Sequence, residues 1–422
     1  MSWFTRTLIA ATVLGAGCSP KPAAPDGRDV VVIVFDTLRE DLRREAKTPT
    51  FDALAARGAQ VERAWSPGTW TLPAVASLFA GASLREHGWN FPFPSRMEHR
   101  TESYPPLPKD RPLLAEVLKG AGFETAGYYS NRILGHGLGY ERGFDDWVHT
   151  RDKLLSEQVA ERVAGWDRED SHFLYLHLRG CHEPLFLSAK ERQTWDVDER
   201  WFASGGFDIS EARDDDDAGG DGVAQYQRAY RSVIEDQDRR LAKLLEALGP
   251  RRETALIVVT SDHGELLGEH GRVGHGRWVY EPLTWVPFIA ANLPASVGAL
   301  PERMSTAALP DLITRSLGLA GQWPVRVDDD GPLVSQRTDR FALSPDGRVK
   351  GIWHPSAEPE LSVYDLSADP GEEQPLEAPP DLAAQRQRWE AATPQTVLEE
   401  QDAGMGDALI EALEALGYFE GE

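Results

Sequence analysis

Cysteine is nearly absent from this sequence. The 422 residues include two cysteines, Cys18 and Cys181. Two cysteines cannot form the framework of several disulfides that stabilises small secreted domains. With 41% hydrophobic residues, the chain is long enough to bury a large apolar core instead. We therefore expect a globular protein that folds without a disulfide scaffold.

Positive charge is also scarce. The chain has 44 Lys and Arg against 68 Asp and Glu, which gives a net charge of -24. Proteins that bind nucleic acids need basic surface to neutralise phosphates, so we expect no nucleic-acid partner. A small anionic substrate is still compatible with this composition, because a bound metal ion can reverse the local field.

Long apolar runs are missing as well. The apolar stretch near the N-terminus, Leu8 to Leu14, is shorter than a membrane-spanning helix requires. One arginine precedes it and small residues lead up to Cys18, a pattern typical of a secretory signal. The end of this segment resembles a bacterial lipoprotein signal, in which the cysteine carries the lipid. The alternative is an ordinary cleaved signal in which Cys18 has no role.

The N-terminal pattern predicts a signal peptide over residues 1–18 and a Pro-rich tether over residues 19–28. We therefore expect an exported protein, either periplasmic or tethered to the outer membrane of a bacterium. Any membrane contact would be made through the lipid on Cys18 alone.

Apolar segments alternate with helical patterns along most of the remaining chain. Val30–Phe35, Phe173–Leu178 and Leu256–Thr260 are continuous apolar runs, typical of strands buried on both faces. This alternation predicts an α/β fold with a mostly parallel sheet sandwiched by helices, over residues 29–335. Short strand patterns joined by turns predict a small antiparallel C-terminal subdomain over residues 336–422, with two terminal helices.

An acidic, Gly-rich segment lies between Asp208 and Gly222 and contains four consecutive aspartates. Calcium loops space their ligands apart and do not place them in a run. We therefore expect a solvated loop here, and no calcium site.

Polar side chains stand at the ends of the three apolar runs. Asp36 follows the first, His177 and His182 close or follow the second, and Asp262 and His263 follow the third. Taken singly, each has an ordinary structural explanation, such as a cap or a core histidine. In open α/β sheets, however, ligands bind at the carboxyl edge of the strands, where these side chains would meet. Two carboxylates and an imidazole favour one Zn²⁺ or Mn²⁺ ion over Ca²⁺.

The segment "SPGTWTLPAVASLFAG", Ser66 to Gly81, joins a loop to an apolar helix, with Thr71 at the junction. One interpretation is that the Thr71 hydroxyl caps the helix. The other is that Thr71 is a nucleophile that occupies a fourth position at the metal. The two are compatible, because the positive end of a helix favours both an alkoxide and an incoming oxyanion.

Five segments carry a resemblance to a known family: "VVVIVFDTLRED", "TPTFDALAARGAQVERAWSPGTWTLPAVASLFAG", "YLHLRGCHEP", "SDHGELLGEHGRVGHG" and "VYDLSADPGEEQPL". In order and spacing they resemble the sulfatase family, within the alkaline-phosphatase-like superfamily, from about residue 29 to about residue 375. The resemblance implies an alkaline-phosphatase-like fold. It also implies hydrolysis of small anionic esters, either sulfates or phosphates and phosphonates.

The resemblance also implies roles for individual residues. The implied metal ligands are Asp36, Asp262, His263 and the nucleophile Thr71. The implied catalytic residues are Thr71, His182 beside the leaving group, and His275, which stands where many members carry an anion-binding lysine. Three further residues are expected to contact the substrate: Trp70, His177 and Arg277.

The sequence departs from the sulfatase pattern at the nucleophile. Sulfatases convert a Cys or Ser in the pattern C/S-x-P-x-R to formylglycine, whereas here Thr71 opens the pattern and Val75 takes the place of the arginine. No formylglycine is therefore expected. Thr37 replaces a usual second aspartate, and His263 replaces a common asparagine. These departures resemble the phosphoryl-transferring relatives, which include phosphonate monoester hydrolases and lipid phosphotransferases.

Three functions remain open at this point. The first is a hydrolase of sulfate or phosphate-type esters, in which a threonine sulfate would lack the elimination route that formylglycine provides. The second is a catalytically impaired, exported binding protein. The third is a transferase that passes the phospho group to an alcohol.

Overall fold

The computed structural model describes residues 28–91 and 105–398, apart from positions 136, 168, 204, 218, 320 and 322. The predicted signal peptide, most of the tether and the second predicted terminal helix, Gly406 to Leu416, lie outside the described residues. No helix within the described ranges is both long enough and apolar enough to cross a bilayer.

The described residues form sixteen strands: β1 (Val30–Phe35), β2 (Gly58–Gln60), β3 (Arg63–Trp65), β4 (Glu124–Tyr129), β5 (Asp146–His149), β6 (His172–Leu178), β7 (Leu256–Ser261), β8 (Leu266–Leu267), β9 (Val273–Gly274), β10 (Trp285–Val286), β11 (Phe288–Ala291), β12 (Arg303–Ser305), β13 (Leu333–Arg337), β14 (Arg340–Ser344), β15 (Val349–Trp353) and β16 (Leu361–Asp365).

The same residues form twelve α-helices: α1 (Glu40–Glu45), α2 (Pro49–Ala56), α3 (Thr71–Ala80), α4 (Leu84–His87), α5 (Leu114–Gly120), α6 (Asp152–Ala164), α7 (Ala189–Trp195), α8 (Ile209–Asp217), α9 (Gly222–Ala247), α10 (Glu281–Thr284), α11 (Leu309–Ser316) and α12 (Leu382–Ala392).

A seven-stranded sheet with the order β2-β11-β7-β1-β6-β4-β5 forms the centre of the fold. The neighbouring strands β7, β1, β6, β4 and β5 run parallel to one another, and β11 is antiparallel to both of its neighbours, β2 and β7. Alternate side chains of the central strand β1 enter two separate cores: Val30, Val32 and Val34 enter one, and the residues between them enter the other. The predicted α/β fold with a mostly parallel sheet is confirmed.

A second, four-stranded antiparallel sheet is formed by β13 to β16, and it confirms the predicted C-terminal antiparallel sheet. Two hydrogen bonds to backbone carbonyls join it to the segment that precedes Thr71 and to the residue that follows His275. The Gln336 amide donates to the Pro67 carbonyl at 2.8 Å, and Arg337 Nε donates to the Gly276 carbonyl at 2.8 Å. The hairpin of β13 and β14 therefore lies directly beside the loops that contain Thr71 and His275.

The acidic segment is not the loop that its composition predicts, because Ile209–Asp217 forms helix α8. Two carboxylates satisfy the first backbone amides of this helix. Glu183 Oε2 accepts a hydrogen bond from the Ile209 amide at 3.1 Å, and Asp208 Oδ1 accepts one from Ser210 at 2.7 Å. Glu183 is distant in sequence, so the charge run alone did not reveal this capping.

Candidate metal and nucleophile site

The parallel register of the central strands brings the predicted site residues together. Strand β1 pairs with both β6 and β7, and Phe35 lies opposite Leu178 on one side and Ser261 on the other. Asp36 and Asp262, the residues that follow, therefore emerge side by side at the carboxyl edge of the sheet. Both are fully buried, so their charges are shielded from water and act strongly on each other.

Asp36, Asp262 and His263 form a cluster whose ligand atoms lie within 4.8 Å of one another. His263 Nε2 is 3.6 Å from Asp36 Oδ1 and 3.6 Å from Asp262 Oδ2. Those two carboxylate oxygens are buried and have no hydrogen-bond partner among the described residues. Unpaired buried carboxylate oxygens are costly, and a divalent cation between them would remove that cost. The cluster therefore fits a metal ion.

Hydrogen bonds behind the cluster orient its members. Asp262 Oδ1 accepts from the backbone amides of Thr37 at 3.2 Å and His263 at 2.8 Å, which leaves Oδ2 for a cation. His263 Nδ1 donates to the Gly264 carbonyl at 2.9 Å, so the lone pair of the neutral ring is on Nε2. Partners of this kind select the tautomer and orientation of metal ligands.

The backbone after Asp36 is held in an uncommon conformation. Thr37 has φ of 59°, which is rare for a β-branched residue. The Thr37 hydroxyl donates to the Asp36 carbonyl at 2.8 Å, and the Thr37 carbonyl accepts a hydrogen bond from the Tyr230 hydroxyl. Gly180 approaches the same peptide so closely that a Cβ there would lie 2.3 Å from the Asp36 carbonyl oxygen. Surrounding contacts therefore maintain this strain beside a candidate ligand.

The protonation equilibria of the cluster also fit a cation site. Burial raises the pKa of the Asp36 carboxyl, but His182 and two other histidines outweigh it and hold the pKa below its usual range. Burial and the charge of Asp36 raise the pKa of Asp262 well above its usual range. Burial lowers the pKa of His263 to about 3, which keeps its imidazole neutral. Without a cation the two carboxylates repel each other, and with one both can be ionised.

The Thr71 hydroxyl points into this cluster. Thr71 Oγ1 is 3.5 Å from Asp36 Oδ2 and 3.5 Å from His263 Nε2. Thr71 is the first residue of α3, whose N-cap is Trp70, and no side chain caps this helix. Of the two interpretations of Thr71, the structure therefore does not support the helix cap. The first-turn amides of α3 give this end of the helix a positive potential beside the hydroxyl.

His182 and His275 lie on the other side of the cluster. Their ring centroids are 5.1 Å apart, and the His275 ring is 4.7 Å from that of His263. His182 Nδ1 donates to the Glu183 carbonyl at 2.7 Å, and His275 Nδ1 lies 3.0 Å from Glu265 Oε1. Burial lowers the pKa of both histidines. Burial therefore favours the neutral form of both imidazoles, and the ring of His275 lies beside that of the candidate ligand His263.

The three residues expected to contact substrate lie in different environments. His177 is buried, with Nε2 3.8 Å from Asp36 Oδ2 and 3.7 Å from Asp262 Oδ2, so it lies against the candidate ligands. Trp70 is buried in the adjacent core, where its ring packs 5.7 Å from that of Trp89. Arg277 is exposed, two residues beyond His275.

Two residues of the site were not identified from the sequence. Asn131 Nδ2 donates to Asp36 Oδ2 at 2.7 Å and lies 3.4 Å from Thr71 Oγ1. Asn131 follows strand β4, so the same rule of polar residues at strand ends could have identified it. Glu265 is buried against His275, and burial raises its pKa to about 8. Nothing in its spacing indicated that contact.

Sequence comparisons connect the chain with one family. The sulfatase family model matches residues 28–321. The chain is 28% identical over 257 residues to the low-salt glycan biosynthesis sulfotransferase Agl7 of Haloferax volcanii, which covers 59% of this chain and 49% of that protein. It is 23% identical over 296 residues to the uncharacterized sulfatase YidJ of Escherichia coli, with 57% of each chain covered. The chain therefore spans about half the length of these curated relatives.

Solved structures share the fold at low sequence identity. A protein in complex with its substrate D-glucosamine-2-N,6-O-disulfate superimposes with a TM-score of 0.66 and 13% identity, over 93% of this chain and 98% of that one. The phosphonate monoester hydrolase of Agrobacterium radiobacter has a TM-score of 0.63 and 17% identity, over 86% and 94%. At these identities the likeness is evidence of the fold alone.

Proposed function

The chain belongs to the sulfatase family, whose model covers residues 28–321, and we propose that it hydrolyses small anionic esters through Thr71. The esters would be those of sulfuric, phosphoric or phosphonic acid. The observation that carries the proposal is the place of the Thr71 hydroxyl, 3.5 Å from both Asp36 Oδ2 and His263 Nε2, at the start of a helix.

Asp36, Asp262 and His263 would hold one divalent ion. Two carboxylate oxygens and one imidazole nitrogen favour Zn²⁺ or Mn²⁺ over Ca²⁺, which prefers a shell of oxygen ligands. When bound, such an ion stabilises the deprotonated form of a neighbouring hydroxyl and neutralises charge on the ester oxygens. Thr71 needs this help, because an unassisted threonine hydroxyl is almost fully protonated at neutral pH.

The reaction would take place in two displacements. In the first, Thr71 Oγ1 releases its proton to solvent and attacks the central sulfur or phosphorus, and the bond to the alcohol oxygen breaks in line. His182 Nε2 takes up a proton from solvent as the anionic ester binds and donates it to the departing oxygen. In the second, water gives a proton to His182 and its oxygen attacks the central atom. The bond to Thr71 then breaks, and the threonine oxygen takes up a proton.

The remaining groups of the site stabilise charge. His275 is held by Glu265 through Nδ1, and its ring lies between those of His182 and His263. The Asn131 side-chain amide and the first-turn amides of α3 are donors near the reacting oxygen. Hydrogen-bond donors that already face the atoms where negative charge develops usually make a large contribution to lowering the activation barrier.

The unmodified threonine bears on which ester is cleaved. A threonine sulfate cannot use the elimination route of formylglycine, so the chemistry of Thr71 favours phosphate or phosphonate esters. The named sulfotransferase among the relatives favours a second candidate, in which the sulfuryl group on Thr71 passes to an alcohol instead of water. The same residues serve both reactions, and only the acceptor differs.

The test is an assay of the purified protein with 4-nitrophenyl sulfate, a phosphate diester and a phosphonate monoester. We expect turnover of at least one, a loss of about 10³-fold or more in Thr71→Ala, and partial retention in Thr71→Ser, which keeps the hydroxyl. Added glycerol separates the two candidates, because mass spectrometry would detect glycerol sulfate only if transfer occurs. Full activity of Thr71→Ala on the same ester would overturn the proposal.

A further inference from the structure

A group of arginines lies near Trp278, close in the chain to His275. This arginine surface consists of Arg272 and Arg340, which lie over the half-buried Trp278 ring, of Arg337, which donates to the Gly276 carbonyl, and of Arg277, which follows Gly276. The Arg340 guanidinium carbon lies 4.3 Å from the Trp278 ring centre, and that of Arg272 lies 4.8 Å from it. Arg272 precedes β9 and Arg277 follows it, whereas Arg337 and Arg340 come from the hairpin of β13 and β14.

The arginine surface borders the candidate site directly. Gly276, the residue after His275, donates from its amide to the Thr69 carbonyl at 2.8 Å. Its own carbonyl accepts from Arg337 Nε at 2.8 Å. One backbone residue therefore links the loop of the nucleophile, the loop of His275 and the arginine surface. A molecule that extends out of the site past His275 would meet these guanidinium groups.

The charges on this surface are incompletely compensated. Asp339 is the ion-pair partner of both Arg337, at 2.6 Å, and Arg340, at 3.2 Å. Within the described ranges, neither Arg272 nor Arg277 has a carboxylate oxygen within 4.0 Å. Burial lowers the pKa of Arg340, and the charges of Arg337 and Arg272 lower it further, against the opposing effect of Asp339. Like charges therefore crowd together here at an electrostatic cost.

Two exposed arginines of the C-terminal subdomain outside this surface have carboxylate partners. Arg348 pairs with Asp365 at 2.8 Å, and Arg388 pairs with Asp381 at 3.1 Å. The protein carries a net charge of -24, so carboxylates are abundant and an excess of positive charge is unusual. Positive charge concentrated at the border of a cleft attracts and retains anions.

We propose that the arginine surface binds a second anionic group, carried by the alcohol part of the ester. The substrate class would then be an ester whose alcohol bears a further sulfate, phosphate or carboxylate. Guanidinium groups suit this role, because they donate two parallel hydrogen bonds to such oxyanions. This inference rests on the proposed ester chemistry at Thr71.

The test compares two probes that differ at the 2-nitrogen, which carries a neutral acetyl group in N-acetyl-D-glucosamine 6-O-sulfate and a second sulfate in D-glucosamine-2-N,6-O-disulfate. Calorimetry would measure their binding to Thr71→Ala protein, which does not turn them over. We expect the disulfate to bind about fivefold or more tightly, and the ratio of the two affinities to fall toward one in Arg272→Ala/Arg277→Ala. The ratio should also fall as sodium chloride is raised, because exposed charges are screened.

Arg388→Ala is the matched control, because Arg388 is an exposed arginine of the same subdomain outside the arginine surface. It should keep the ratio of the parent protein. A protein that turns over a simple ester but binds the two probes equally, or binds neither, overturns this inference and leaves the proposed function intact. The inference is also overturned if the ratio of the two affinities is unchanged in Arg272→Ala/Arg277→Ala, or if Arg388→Ala lowers it by the same amount. Absence of turnover on every ester contradicts the proposed function itself.

Discussion

Asn131 holds Asp36 in place for the site, with its side-chain amide 2.7 Å from Asp36 Oδ2. The Ile133 amide donates to Asn131 Oδ1 at 3.2 Å, so the NH₂ group of Asn131 faces the carboxylate. The other carboxylate oxygen, Asp36 Oδ1, therefore faces His263 and has no hydrogen-bond partner among the described residues. The asparagine thus directs one oxygen of a candidate ligand toward the cluster.

Replacement of Asn131 should weaken metal binding without removing a ligand. We expect Asn131→Ala to lower the affinity for Zn²⁺ by about 10- to 100-fold, because residues that orient metal ligands typically contribute that much. Competition with a chelator, read by metal analysis, measures it. Asn90→Ala, outside the cluster, is the control. Equal affinity in the parent and Asn131→Ala proteins would show that the amide does not orient Asp36.

Removal of one carboxylate should have opposite effects on the metal-free and the metal-loaded protein. Asp262→Asn relieves repulsion between two buried carboxylates. The free energy of unfolding of the metal-free variant should therefore exceed that of the metal-free parent by about 1 to 2 kcal/mol, and its unfolding temperature should be higher. Added Zn²⁺ should stabilise the parent far more than the variant. Thermal unfolding with and without chelator tests both. Equal stabilisation of the two proteins by Zn²⁺ would remove Asp262 from the ligand set.

His87 should make the protein less stable in acid. Its ring is buried, with Nε2 2.9 Å from Ser77 Oγ and Nδ1 accepting from the Trp89 amide at 3.0 Å, so both nitrogens are used in the neutral form. Burial lowers its pKa from 6.5 to about 3. The unfolded chain therefore binds a proton between these values that the native protein does not. The stability that His87 contributes is present above pH 6.5 and is lost as the pH falls toward 3.

Urea unfolding from pH 7 to pH 4 would measure this loss, which amounts to about 3 kcal/mol over that range for the single group. His87→Gln cannot take up the proton, so its stability should fall less steeply with acid than that of the parent. Parallel curves for the two proteins would mean that His87 is not held neutral by the fold.

Lys350 should be essential for the attachment of the C-terminal sheet. Its ammonium group is fully buried, 3.1 Å from Glu281 and 2.8 Å from Glu372, and 4.8 Å from the centre of the Trp65 ring. Lys350→Met leaves the buried Glu372 without its cation and Glu281 with Arg63 alone, which should cost about 3 to 5 kcal/mol in the free energy of unfolding. Arg388→Ala breaks an exposed pair and should cost less than about 1 kcal/mol. Similar losses in both variants would contradict this role.

The sequence was sufficient for the sheet and for most of the cluster, because both follow from patterns along single strands. Strand β1 is a continuous apolar run, and its alternate side chains enter two cores, so its burial on both faces was predictable. Asp36 and Asp262 follow such runs, and parallel pairing alone brings them together.

What escaped prediction depends on contacts between distant segments. Helix α8 begins where Glu183 accepts from the Ile209 amide, and no local pattern encodes that bond. Glu265 is buried because His275 packs on it, ten residues further along a turn-rich segment. The Thr71 hydroxyl faces Asp36 and His263 and does not cap the helix, because Trp70, in an extended conformation, takes the N-cap position. Local propensity gives little information about such tertiary contacts.

The most direct test of the central claim is peptide mass spectrometry of the protein, first as purified and then quenched during turnover of the best ester. We expect an unmodified threonine at position 71 in the resting protein. After quenching, we expect a phosphoryl, phosphonyl or sulfuryl adduct on the peptide containing Thr71, and no adduct in Thr71→Ala. Two results from an active protein would contradict Thr71 as the nucleophile. One is an adduct on another residue. The other is a residue 71 that is already modified in the resting protein and never carries the adduct.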